Sequence, residues 1–101
     1  MRRAARTDTN QAQIVAELRK AGCTVQHLHA IGQGTPDLLV GYAGTNYLLE
    51  VKDGAKSPSR RKLTPDEEEW HRRWGGQVAV VATSAEALAA VGFSDHTLDI
   101  R

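Results

Sequence analysis

The sequence has little of several features that define large classes of protein. It contains one cysteine, Cys23, which excludes an internal disulfide framework and a cysteine-rich zinc site. No apolar run approaches the roughly 18 residues that a membrane-spanning helix needs, and no apolar segment follows Met1-Arg2-Arg3 as a secretory signal requires. The formal net charge of +1 does not by itself indicate a nucleic-acid-binding protein. We therefore expect a protein of the reducing cytoplasm with no membrane partner.

The length and the composition favour a single globular domain. A chain of 101 residues is too short for a multidomain enzyme, and 41% hydrophobic with 25% charged residues argues against disorder along its whole length. We expect a basic N-terminal tail over residues 1–7 and one domain over residues 8–101. A domain this small buries a limited share of its surface, so self-association is a reasonable expectation.

Hydrophobic spacing and turn residues predict the element order αβββαβα. Helices are predicted at residues 8–21, 65–74 and 84–91, and strands at residues 24–29, 37–42, 47–52 and 77–82. The pattern of the last ten residues is ambiguous, and a short edge strand is one interpretation of it. We expect an α/β fold, a mixed β-sheet flanked by helices with a helix on each face.

Two neighbouring strands bring chemically active side chains together. Glu50 interrupts the apolar strand Tyr-Leu-Leu-Glu-Val, where a carboxylate is costly without a partner, and Lys52 shares its face. If residues 43–46 form the turn, Tyr42 faces Tyr47, and Asp37 lies opposite Lys52 and diagonal to Glu50. Opposed Cβ atoms lie about 5 Å apart and diagonal ones roughly 7 Å, so the three side chains converge.

Two adjacent carboxylates repel each other unless a cation or a proton lies between them. Hard oxygen ligands suit Mg²⁺ or Mn²⁺, and such an ion acidifies a bound water and screens a phosphate. Lys52 could then orient the attacking water or stabilise the transition state. Taken singly, Glu50 and Lys52 could be solvated and Asp37 could cap a turn, but their conjunction favours phosphodiester hydrolysis.

The same motifs carry a family resemblance. Gly34-Thr35-Pro36-Asp37-Leu38-Leu39-Val40 together with Leu49-Glu50-Val51-Lys52 resembles the PD-(D/E)XK nuclease superfamily. The wider pattern over residues 8–91 is similar to stand-alone VRR-NUC domains, which are common in phages and prophages. It comprises Asn10-Gln11, Gly22, the Gly32-x-Gly34 loop and Leu63-Thr64.

This resemblance implies a restriction-endonuclease-like core that cleaves nucleic acid with Mg²⁺ or Mn²⁺. Asp37, Glu50 and the backbone carbonyl of Val51 would be the metal ligands, and Lys52 would be the catalytic lysine. Stand-alone relatives are expected to form homodimers resembling Holliday junction resolvases, which implies branched DNA as the substrate.

The sequence departs from the family pattern at two places. Many relatives carry a further metal ligand, a glutamate, in the first helix, whereas the matching stretch here offers Asn10, Gln11 and Gln13, with Glu17 two turns later. Relatives also often carry a glutamine in the helix after the basic loop, where this chain has Glu67. Whether a first-helix residue assists the metal is left open.

Two loops complete the candidate site. The basic side chains between the second hairpin strand and the next helix would contact a DNA backbone, with a solvated linker as the alternative; they are Lys56, Arg60, Arg61 and Lys62. The glycines Gly32 and Gly34 would either let the backbone approach a phosphate or form a tight turn.

The sequence thus predicts a metal-dependent endodeoxyribonuclease that acts on branched DNA as a homodimer. The alternative is a non-catalytic nucleic-acid-binding subunit with a nuclease-like fold.

Overall fold

A computed structural model describes residues 10–94 and has the predicted element order αβββαβα. The helices are α1 Gln11–Lys20, α2 Pro65–Arg73 and α3 Ser84–Ala90, and the strands are β1 Thr24–His27, β2 Leu38–Tyr42, β3 Thr45–Val51 and β4 Ala79–Val81. Short 3₁₀ turns follow β1 and precede α2, at His29–Ile31 and Pro58–Arg61. The expected basic tail lies outside the described residues. Residues 95–101, which make up most of the segment considered as an edge strand, also lie outside them.

The strands form one mixed sheet in the order β1-β2-β3-β4. The first three strands are antiparallel neighbours, whereas β4 runs parallel to β3 because the chain crosses over through α2 before it returns. This confirms the predicted mixed sheet. No helix within residues 10–94 is long and apolar enough to cross a membrane.

The predicted hairpin register is wrong by two residues. The turn consists of Ala43 and Gly44 alone, with φ of 52° and 83°, so Tyr42 pairs with Thr45 and not with Tyr47. Two residues with positive φ make the turn whose twist best matches the flanking strands. A shift of two residues keeps every side chain on its predicted face.

Two strands are shorter than the sequence suggests. β1 ends at His27 rather than at residue 29, because the chain enters a 3₁₀ turn. β4 begins at Ala79 rather than at residue 77. The side-chain amide of Gln77 bonds both the amide and the carbonyl of Leu48, at 2.7 and 3.2 Å, and so replaces a main-chain strand pair there.

The hydrophobic core lies between one face of the sheet and the helices α1 and α3, which pack together. Its buried side chains include Ile14, Val15, Leu18, Leu38, Val40, Leu49, Val51, Val81, Ala87 and Val91. The end of α2 lies at the opposite face, where Trp74 lines a shallow groove of about 310 Å³ with Leu39 and Leu48. The helices therefore flank both faces, as predicted.

Candidate active site

Asp37 lies between the ends of two strands. Its carbonyl oxygen accepts a hydrogen bond from the Leu28 amide at 2.8 Å, just beyond β1. Its side-chain Oδ2 accepts one from the Val51 amide of β3, also at 2.8 Å. Continuing the observed register places Asp37 opposite Glu50 rather than opposite Lys52. The corrected register thus puts the two acids directly side by side.

Glu50 is a buried acid on the face opposite the core. Its relative exposure is 2%, and Oε1 has no hydrogen-bond partner in the part of the chain that the structure describes. Burial raises the pKa of Glu50 to about 9, and the nearby carboxylates Asp37 and Glu67 add to this effect. Burial also raises the pKa of Asp37, although the Val51 amide opposes it. The two adjacent carboxyl groups of Asp37 and Glu50 therefore favour binding a proton or a cation between them.

Lys52 extends from the end of β3 between two acids. Its Nζ donates to Glu67 Oε1 at 2.7 Å and lies 3.7 Å from Glu50 Oε2. Burial alone would raise the pKa of Glu67, but the hydrogen bonds from Lys52 and from the Thr64 amide outweigh it and leave this pKa lowered. Glu67 is therefore the ionised partner of the lysine.

The main chain of Val51 completes this arrangement. Its side chain is 1% exposed and belongs to the core, so only its backbone faces the site. The structure thus brings Asp37, Glu50, Lys52 and the Val51 backbone to one end of the sheet.

The donor set fits a hard divalent cation. Glu50 offers a buried Oε1 that has no hydrogen-bond partner among the residues described, and it lies beside the carboxylate of Asp37. Within residues 10–94, no three His, Cys, Asp or Glu side chains form a cluster that could hold a metal. A bound ion would therefore complete its coordination with main-chain oxygen and water, as Mg²⁺ commonly does.

The start of α1 lies at the same end of the sheet. Asn10 Nδ2 donates to the carbonyls of Lys52 at 3.0 Å and Ala82 at 2.8 Å, which ties the helix to the ends of β3 and β4. Gln11 is 3% exposed, and its Nε2 lies 3.4 Å from His27 Nδ1. Its Oε1 is buried and has no partner among the described residues. Sequence reasoning left both residues open, and no local signal distinguishes them.

The two remaining first-helix candidates, Gln13 and Glu17, have different surroundings from Asn10 and Gln11. Gln13 is exposed and lines a hollow together with Asn10, Asp53 and Ser84. Glu17 is half-buried and lies two turns along α1. Of the four candidates, Asn10 and Gln11 are the ones whose side chains form hydrogen bonds to residues at the strand ends, among the described residues.

The predicted DNA-binding side chains have different surroundings. Lys56 and Lys62 are exposed. Arg61 is half-buried, and it donates to the carbonyls of Lys56 at 2.7 Å and Gly54 at 3.0 Å. Arg61 thus holds the loop together, which leaves the two lysines better placed for solvent contacts. Of Arg60, only the backbone is described, within the 3₁₀ turn.

The glycine loop packs against α2. At Gly34, with φ of 83°, an added Cβ would collide with the Asp66 carbonyl. This close approach explains the glycine without invoking a phosphate, and the sequence does not reveal it because the two segments are far apart along the chain. His71 lies one turn beyond Glu67 on α2. It is half-buried, and its Nε2 has no partner among residues 10–94.

No protein-family model and no curated protein matches the chain. A solved structure described as a VRR_NUC domain is similar to it, with 26% sequence identity and a TM-score of 0.58. The match covers 80% of this chain and 88% of that one. Fold and motifs together define a nuclease-type domain with a restriction-endonuclease-like core. This similarity supports a VRR-NUC or PD-(D/E)XK-like nuclease domain and confirms the resemblance predicted from the motifs.

Proposed function

We propose that the protein is a metal-dependent nuclease that hydrolyses DNA phosphodiester bonds. Asp37 and Glu50, with the Val51 carbonyl, hold Mg²⁺ or Mn²⁺, and Lys52 is the catalytic lysine. The observation that supports this most strongly is the convergence of these groups around a 2%-exposed glutamate whose Oε1 has no hydrogen-bond partner within residues 10–94. Such a buried acid is costly to the fold and fits a cation-binding role.

The metal, when bound, would acidify a coordinated water and offset charge on the phosphate. The Val51 amide fixes the Asp37 carboxylate, and the main-chain bond from Lys52 to the Val81 carbonyl at 2.8 Å fixes the backbone of the lysine. Glu67 holds the ammonium of Lys52 by a hydrogen bond of 2.7 Å. From this position the ammonium would orient the attacking water or stabilise charge on the phosphate oxygens.

We further propose that the protein acts on branched DNA as a homodimer. Supporting this, the face of the sheet opposite the core is incompletely covered. Trp74 is 44% exposed and stacks on Trp70 with ring centres 4.5 Å apart, and Val80 is 46% exposed. A two-fold dimer through the Trp74 groove of this face, with the Asp37 and Glu50 end left open to DNA, would present two sites with the symmetry of a four-way junction. The exposed lysines Lys56 and Lys62 would contact the DNA backbone.

A cleavage assay tests the proposal. Duplex, flap, splayed and four-way DNA substrates are incubated with the purified protein and Mg²⁺, Mn²⁺ or EDTA, beside Asp37→Ala and Lys52→Ala variants whose folding is confirmed by circular dichroism. We expect cleavage that needs the metal and that both substitutions abolish. A folded variant that cuts as well as the wild type would refute the residue assignment.

The same assay separates the alternative function. A non-catalytic binding subunit would show salt-dependent DNA affinity without cleavage in either metal. The pairing of Lys52 with Glu67 is the observation that keeps this alternative in view, because the lysine is already engaged.

A further inference from the structure

Glu67 joins the start of α2 to the lysine of the candidate site. Its Oε1 accepts hydrogen bonds from Lys52 Nζ at 2.7 Å and from the Thr64 amide at 2.9 Å. Its own amide donates in return to Thr64 Oγ1 at 3.2 Å. This capping box holds the carboxylate from one side while the carboxylate holds the ammonium on the other.

We propose that Glu67 is a positioning residue: it holds the Lys52 ammonium closer to itself than to Glu50, so that Lys52 does not close fully on Glu50 and Glu50 can bind a cation. This inference rests on the function proposed above. Lys52 Nζ lies 2.7 Å from Glu67 Oε1 and 3.7 Å from Glu50 Oε2, so the nearer glutamate has the stronger attraction. Without Glu67, a pair between Lys52 and Glu50 would compete with the metal for the same carboxylate.

The first turn of α2 is fixed from a second direction by the loop that leads into Asp37. Gly34 packs so closely on this turn that a Cβ added there would also come within 3.1 Å of the Glu67 amide nitrogen. Gly34 precedes Asp37 by only three residues. The first turn of α2 therefore positions Lys52 through Glu67. The same turn packs against Gly34 and so supports the loop that leads to the proposed metal ligand Asp37.

The start of α3 offers a matched control. Glu86 Oε1 accepts from the Ala82 amide at 2.7 Å, and the Glu86 amide donates to Thr83 Oγ1 at 3.1 Å. Glu86 thus supports a helix start as Glu67 does, but its side chain bonds main chain rather than the candidate lysine. The variant Glu86→Ala therefore shows how much Mn²⁺ binding changes when a helix start alone is weakened.

The test is Mn²⁺ binding measured by isothermal titration calorimetry without DNA, so that the result does not depend on activity. We expect Glu67→Ala to weaken Mn²⁺ binding about tenfold, which is typical for residues that orient metal ligands. Glu67→Gln, which keeps an acceptor for both donors, should restore most of the affinity. Glu86→Ala should bind Mn²⁺ like the wild type, and a similar loss there would overturn the proposal.

A double variant shows whether Glu67 acts through the lysine. In a Lys52→Met background, Glu67→Ala should lower Mn²⁺ affinity less than in the wild-type background, and the loss that remains reflects the charge that Glu67 itself places near Glu50. Equal losses in both backgrounds, or wild-type binding by Glu67→Ala, would overturn the inference. If Glu67→Ala does not fold, Glu67→Asp carries the same test, since its shorter side chain keeps the charge but not the reach. Failure of the nuclease proposal looks different: the wild type itself would bind no Mn²⁺.

Discussion

The two faces of the sheet are built from alternate residues of the same strands, yet they differ in chemistry. On β3, Leu49 and Val51 point into the core and are 0% and 1% exposed. Glu50 stands between them and is 2% exposed, but it faces Lys52 on the other side. One face gains stability by removing apolar carbon from water, whereas the other loses some by burying an acid.

This difference shows that burial alone does not reveal a residue's role. A buried ion pair is often no more stabilising than well-packed apolar side chains of similar volume. The side chains buried on the core face are apolar, as strand packing predicts. The opposite face, which carries the site, instead breaks this pattern by burying an acid at one position, Glu50. Such a break is expected where a protein gives up stability for function.

The largest effect should come from Glu50→Gln. This change removes the charge that a divalent cation needs, so we expect cleavage to fall by roughly a thousandfold, several kcal/mol of transition-state stabilisation. Glutamine resembles the neutral acid but has no proton to lose on unfolding, so the metal-free variant should be at least as stable as the wild type at neutral pH, where ionisation of Glu50 favours the unfolded wild type. Cleavage rates and urea unfolding measure the two effects. A variant that still cuts at the wild-type rate would contradict the role of Glu50.

Leu49→Ala should reverse this pattern. It removes a fully buried side chain from the core face, so we expect a loss of roughly 2–5 kcal/mol in unfolding free energy. Cleavage per folded molecule should stay near the wild-type value. Urea denaturation measures the loss, and Leu48→Ala, half-buried on the other face, is the control with a smaller expected effect. A similar loss in both variants would remove the distinction between the faces.

The element order and the convergence of the site residues could be predicted from the sequence because both depend on side-chain periodicity. A two-residue error in the hairpin left Asp37, Glu50 and Lys52 on one face. The turn itself was not predictable, because Ala43 is an unusual residue at positive φ. A turn signal such as Asn-Gly would have revealed it.

The contacts that complete the site depend on long-range placement and leave no local pattern. The capping box at Thr64 and Glu67 was recognisable, but nothing in its spacing shows that Glu67 reaches Lys52, fifteen residues earlier in the chain. The same holds for Asn10, whose amide bonds the carbonyl of Lys52. Such contacts follow from how α1 and α2 meet the sheet.

The metal-free protein should lose stability as the pH rises, because the buried acids of the candidate site have raised pKa values. Burial and the neighbouring acids raise the pKa of Glu50 to about 9. Between its ordinary pKa and this value, the folded state holds a proton that the unfolded chain has released. The stabilising contribution is therefore complete below the ordinary pKa and is lost as the pH rises through the folded pKa. The raised pKa of Asp37 acts in the same direction, and the lowered pKa of Glu67 in the opposite one.

Urea unfolding midpoints in EDTA, from about pH 5 to about pH 9, measure this dependence. Glu50→Gln should flatten the profile, because the largest of the three shifts is gone. If the variant keeps the wild-type slope, another group is responsible for it.

The smallest effect should come from Lys62→Ala at the exposed edge of the basic loop. One lost phosphate contact should weaken DNA binding severalfold and lower the salt slope by about one, with little change in sequence preference. Fluorescence anisotropy over a salt series measures both quantities. Arg73→Ala removes the same charge from α2, where Arg73 pairs with Glu69 at 3.1 Å, and should leave the slope unchanged. If both variants lower the slope equally, the DNA responds to overall charge, and the loop has no special part in binding.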